Sequence, residues 1–258
     1  MLSWFSLLDL RDALTKPVCP ICQMRWKSAY RYIGFLLYES VNDVETRLRF
    51  WAGMGYCPEH TRLLAATEQK NEEKPLGMNI LYESLASFVK KEIVEYPIPR
   101  KRSNPLRLVL LHLLPGRFSM DTPKNLTPKS TCRVCQIADD SAFLGLETLM
   151  QCLLDPEEKV YTLYPKSDGI CLTHLRMALQ EFTVRYPSAG LILKEHAVNH
   201  LQHWEQAMGE YVRKQAWQNR HETITDEENQ ALQHALAFFT GYSPEIFTAN
   251  GKRDTKDE

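Results

Sequence analysis

Six of the seven cysteines stand in a repeated arrangement with two of the eight histidines. Cys19-Pro-Ile-Cys22 precedes Gly55-Tyr-Cys57-Pro-Glu-His60, and Cys132-Arg-Val-Cys135 precedes Gly169-Ile-Cys171-Leu-Thr-His174. Two cysteines separated by two residues form a knuckle whose thiolates can converge on one ion. Cys-x-x-His places two further donors about one helical turn apart when the cysteine opens a helix. Three sulfurs and one imidazole are the donor set of a tetrahedral structural zinc, which keeps no position for substrate. Cys19, Cys22, Cys57, His60, Cys132, Cys135, Cys171 and His174 are therefore the candidate ligands of two structural metal ions, with Zn²⁺ preferred to iron because histidine stands among the donors. A lone CxxC also suits a redox dithiol. A second copy that keeps the spacing with Arg133 in place of Pro20 favours the metal, because redox chemistry has no use for a matching Cys-x-x-His downstream.

The copies are offset by 113 or 114 positions, and similarity continues beyond the ligands. Asn42-Asp43-Val44-Glu45 parallels Leu154-Asp155-Pro156-Glu157, and Pro75 to Glu83 parallels Pro187 to Glu195. Each copy is expected to close its own site, since it then folds as a unit. The organisation expected is an N-terminal helix and first repeat over 1–95, a connector over 96–131, a second repeat over 132–219, and a final helix with a tail over 220–258. Tyr96 to Thr131 carries six of the fourteen prolines and seven Lys or Arg against one Asp. Within it, Asn104-Pro105 followed by Leu106, Val109, Leu110 and Leu113 reads as a capped short helix.

The elements that must position these ligands are helical. Trp26 to Val41 places Tyr30, Ile33, Phe35, Leu37 and Val41 at helical spacing, and Met78 to Ile93 lines up Leu81, Leu85, Phe88 and Val89. A long helix from Ser188 to Asn219 is expected to bury Leu193, Ala197, Leu201, Trp204, Met208 and Tyr211. Thr225 with Glu228 forms a capping box, and that last helix stops at Gly241. The fold class read from these signals is mainly α: two tandem helical repeats, each stapled by a Cys3His zinc site, plus a C-terminal helix.

Other features have plainer readings. His196, His200 and His203 fall at i, i+4 and i+7 and share a helix face. Copy one has Ser84, Phe88 and Lys91 at the matching positions, so partly buried histidines are favoured over a further metal or catalytic site. Cys152 lies in an apolar stretch and reads as a buried thiol. Trp4, Phe5, Trp26, Trp51, Trp204 and Trp217 read as core aromatics, and the run from Glu68 to Glu73 as an acidic helix face.

At 258 residues, 44% hydrophobic, with 31 basic and 32 acidic side chains, the chain can bury a core and has no net field for polyanions. Met1 to Leu10 lacks a basic leader. The longest apolar run, Leu106 to Leu114, is interrupted by Arg107 and His112, so a cytoplasmic protein without membrane contact is expected. No recognisable catalytic motif or phosphate-binding glycine loop occurs.

The combination of Cys19-Pro-Ile-Cys22, Leu36-Leu37-Tyr38-Glu39-Ser40-Val41-Asn42-Asp43, Gly55-Tyr-Cys57-Pro-Glu-His60 and Leu63-Leu64 resembles an uncharacterised bacterial family, a domain of unknown function with duplicated CxxC and CxxH motifs. The resemblance runs from Phe5 to Gly241 and implies bacterial origin and metal sites, with no activity attached. The function expected is a non-enzymatic zinc protein, a scaffold or regulator that binds another protein. The alternatives are a nucleic-acid binder using Arg100, Lys101, Arg102, Arg107 and Arg117 of the connector, and a thiol- or metal-dependent enzyme.

Overall fold

The computed structural model describes residues 4–71, 76–96 and 126–241. Ten α-helices and no strand occur among the described residues. In chain order these are α1 (Trp4–Ala13), α2 (Pro20–Phe35), α3 (Val44–Ala52), α4 (Pro58–Asn71), α5 (Leu76–Glu95), α6 (Arg133–Cys152), α7 (Lys159–Leu163), α8 (Leu172–Glu181), α9 (Pro187–Lys214) and α10 (Asp226–Thr240). A π-helical turn, Leu36–Ser40, continues α2, and short 3-10 turns follow α7 and α9. The mainly α expectation holds. The connector helix expected around Asn104, the basic cluster Arg100 to Arg117 and the tail from Asn250 lie outside the described residues.

The chain divides into two compact units, one built from Met1–Ser28 with Ala138–Glu258 and the other from Ala29–Ile137. The divisions fall inside α2 and α6. α2 therefore gives residues 20–28, with its knuckle, to the first unit and its later residues to the second, and α6 gives residues 133–137, with its knuckle, to the second unit and its later residues to the first.

In the first unit, one stripe from each helix meets in a common core. Leu7 and Leu10 of α1, Ile21 of α2, Leu146, Leu149 and Met150 of α6, and Leu193 of α9 are all buried there. Such stripes recur every three or four residues, which is why the helical period was readable. α10 closes this core with Ala231, Ala235 and Phe238. It starts as expected: the Thr225 hydroxyl accepts from Glu228 N, and the Glu228 carboxylate accepts from Thr225 N. Gly241 ends it.

The second unit is smaller. Its buried apolar residues include Ile33, Leu36, Phe50, Leu64, Leu81 and Leu85. Phe50 meets Tyr56 and Tyr82 edge to face, and Trp51 stacks on Phe88 with ring centroids 5.6 Å apart.

Several details depart from expectation. Phe35 is exposed, because the helix passes into the π turn at Leu36, which is the residue buried there. α9 stops at Lys214, so Trp217 sits in the following 3-10 turn at 82% exposure rather than in a core, and Tyr211 is exposed too. Cys152 is buried, as expected.

Candidate metal centre

The eight candidate ligands gather into two groups of four, but not within the copies. Cys19 and Cys22 meet Cys171 and His174, and Cys57 and His60 meet Cys132 and Cys135. The expectation of closure within each copy is thus overturned. Its physical reason lies in α2 and α6: each knuckle stands at the start of a helix that passes from one unit into the other, after Ser28 in α2 and after Ile137 in α6. The knuckle therefore stays with the Cys-x-x-His of the opposite copy. Each four-residue group lies wholly within one unit.

Local structure delivers the donors as the spacing implied. Cys171 is the N-cap of α8 and Cys57 directly precedes α4, so His174 and His60 come one turn later on the same side. Gly169 and Gly55, two residues before each cysteine, have φ of 73° and 93°, a turn that only glycine makes without strain.

In the first group His174 Nδ1 lies 3.5 Å from Cys19 Sγ, 3.4 Å from Cys22 Sγ and 3.2 Å from Cys171 Sγ, while Cys22 and Cys171 Sγ are 3.7 Å apart. In the second, His60 Nδ1 lies 3.1 Å from Cys57 Sγ, 3.7 Å from Cys132 Sγ and 3.2 Å from Cys135 Sγ, with Cys57 and Cys135 Sγ 3.6 Å apart. A tetrahedral zinc at ordinary bond lengths sets sulfur atoms about 3.8 Å apart and sulfur to nitrogen about 3.6 Å. In each group the four donor atoms lie within 4.8 Å of one another, and the separations are near or somewhat below those values, with Nδ1 as the histidine atom that faces the sulfurs.

Protonation within the groups points the same way. Burial pushes the Cys19 thiol up, and its neighbours Cys171 and Cys22 push it further, whereas the contacts from Cys19 and Cys22 hold Cys171 well below the usual thiol range. Burial alone would lower His174, but the contacts with Cys171 and Cys22 hold it up at about 9. In the second group burial opposes ionisation of Cys132, yet contacts from His60 and three backbone N–H groups bring it down to about 6. Burial together with Cys57 raises Cys135 to about 12. Several sulfurs crowded this closely cannot all be thiolates unless a cation shares their charge.

The two groups differ in shielding. Cys19, Cys171 and His174 are buried, and the end of α10 lies over their site, where a Cβ built on Gly241 would stand 3.1 Å from Cys22 Sγ and 3.6 Å from Cys171 Sγ. In the second group only His60 is buried, and Cys57, Cys132 and Cys135 are half-exposed. None of the seven cysteines is in a disulfide.

A family model described as a family of unknown function, DUF6062, matches residues 5–245. The chain belongs to this family. Membership in DUF6062 covers both four-residue groups and every described helix from α2 to α10. No curated protein and no solved structure matches the chain. Among the described residues no helix is long and apolar enough to cross a membrane.

The histidine row lies on α9 and makes a ladder instead of a third group. His196 packs against Tyr164 and His200, His200 against Trp204, and Trp204 stacks on His234 of α10. His203 Nε2 lies 2.7 Å from the Glu227 carboxylate and His234 Nδ1 3.3 Å from that of Asp168. Burial and the neighbouring His200 hold His196 down at about 4.

Two residues were missed in the sequence. Glu68, read as part of an acidic face, is buried and accepts from Gly77 N and Met78 N. Gly241 was read only as a helix stop, although its missing side chain is what lets α10 end on the first site. A buried acid in a charged run carries no signal, whereas a glycine just after a helix is a signal for the cap alone.

Proposed function

We propose that each group of four holds one structural zinc, and that the protein is a non-enzymatic scaffold whose helical surfaces bind another protein. The observation that carries the metal reading is the pair of donor groups, each with three sulfurs and one imidazole nitrogen within 4.8 Å of one another. Four protein donors fill the coordination of the ion, so each zinc acts on folding, not on a substrate. Zinc is favoured over other divalent ions by the mixture of thiolate and imidazole.

Binding at such a site stabilises the folded state by roughly 10–16 kcal/mol near neutral pH, as much as the whole stability of an ordinary domain. Closure between Cys22 and Cys171 spans 149 positions, against about 35 within a copy. The longer loop removes about 1 kcal/mol more of chain entropy from the unfolded state. Crossed ligation also makes both units depend on the two repeats together, because neither repeat carries a complete donor set of its own.

Metal analysis of the purified chain, coupled to affinity capture from host extract, tests this reading. It requires two zinc ions per chain, loss of about one in Cys57→Ser and in Cys171→Ser, and a specific protein partner. Metal-free protein with freely reactive thiols would overturn the metal sites. Two bound zincs with a substrate turned over would overturn the scaffold.

A further inference from the structure

Leu37, Tyr38, Glu39, Val41 and Asn42 take no part in the metal groups, yet they form one wall of a cavity of about 160 Å³ in the second unit. The first three belong to the π turn Leu36–Ser40, and such turns within helices frequently mark functional sites. The opposite wall is Glu68 of α4 with Leu76 and Gly77 at the start of α5. Gly77 brings these walls together: a Cβ there would lie 2.9 Å from Leu37 Cδ2 and 2.9 Å from Glu68 Oε1.

The character of the cavity is anionic and aromatic. Glu68 is 3% exposed. Its Oε1 accepts from Gly77 N at 2.5 Å and Met78 N at 3.2 Å, while Oε2 has only a 3.3 Å contact with Met78 N. Among the described residues no cation pairs with it. Glu68 thus caps the start of α5, and its Oε2, with a single long contact, keeps acceptor capacity beside the cavity, which favours a positive occupant. Glu39 adds a second carboxylate, Asn42 an amide, and Tyr38, 63% exposed, an aromatic face of the kind that attracts cations.

We propose that this cavity binds a small organic cation, an ammonium or guanidinium group on a short carbon chain, between Glu68 and Tyr38. Its volume lies below the roughly 300–1,000 Å³ of pockets for drug-sized ligands, so it takes a charged head and a few carbons. That head can belong to a free amine or to a Lys or Arg side chain. The inference is independent of the metal reading.

Calorimetric titration of the full chain with butylguanidinium, butylamine, butanol and butyrate tests it, with a short peptide carrying one Arg and its Ala counterpart as further arms. Both cations should saturate one site, and butanol and butyrate should not. An Arg peptide that binds more tightly than butylguanidinium assigns the head to a protein partner, and one that binds no better assigns it to a free amine. Glu68→Gln keeps an oxygen to accept from Gly77 N and should weaken cation binding by about tenfold or more, with a melting curve to show that it folds. Tyr38→Ala and Glu39→Gln, both on exposed residues, should each weaken it severalfold even if Glu68→Gln does not fold. Cations that fail to bind, neutral or anionic probes that bind equally, or unchanged affinity in the folded variants would overturn the proposal.

Discussion

Gly241 seats its Cα hydrogen where a methyl group would come within 3.1 Å of Cys22 Sγ. Its backbone, at φ 77° and ψ 175°, is also in a region that side chains resist. The end of α10 is thus fitted to the first donor group by the absence of a side chain. Gly241→Ala should destabilise the first unit by about 1–3 kcal/mol through backbone strain, with added displacement of Cys22. A thermal melt with metal analysis checks this: lowered melting temperature and weakened retention of one metal are expected, and the second site should keep its own.

Shielding predicts an order of reactivity. Cys57, Cys132 and Cys135 are half-exposed, whereas Cys19 and Cys171 are buried. During titration with a strong chelator and an alkylating reagent, mass spectrometry should find the first three cysteines modified before the latter two, with Cys152, 1% exposed, among the last. Simultaneous modification of both groups would mean that the two sites open together.

The His196 ladder gives a pH dependence of definite sign. Burial and His200 hold His196 down at about 4, against an ordinary value of 6.5. Between these two values the unfolded chain binds a proton that the folded His196 does not, so the stability it permits is complete above pH 6.5 and declines as pH falls toward 4. Acid would also release any metal held by the two donor groups, in wild type and variant alike. Denaturant melts at pH 7.5 and pH 5 should show His196→Gln losing less stability on acidification than wild type, by the linkage of at most one proton. Equal losses would show that His196 is not what the acid senses.

Helical periodicity and ligand spacing were legible because each is a local pattern. The stripe through Leu193, Ala197 and Trp204, the capping box at Thr225 and the turn from Cys171 to His174 all depend on residues a few positions apart. The pairing of knuckles was not legible. Spacing specifies that Cys19 and Cys22 belong to one donor group, while their partners are set by where α2 and α6 carry the chain, which is a tertiary property. Phe35 and Trp217 failed for a related reason: both stand where a regular helix gives way to a π or 3-10 turn, and the helical period no longer tells which side faces the core. Glu68 shows the limit for charge, since its burial follows from the backbone N–H groups of α5 and not from its neighbours in the sequence.

Metal stoichiometry in two double variants tests the crossed arrangement most directly. Cys22→Ser with Cys171→Ser alters two donors of one group, whereas Cys22→Ser with Cys57→Ser alters one donor of each. The crossed arrangement predicts that the first variant keeps about one zinc per chain and that the second keeps close to none. The reverse result, with Cys22→Ser and Cys57→Ser together costing a single zinc and Cys22→Ser with Cys171→Ser costing both, would contradict it.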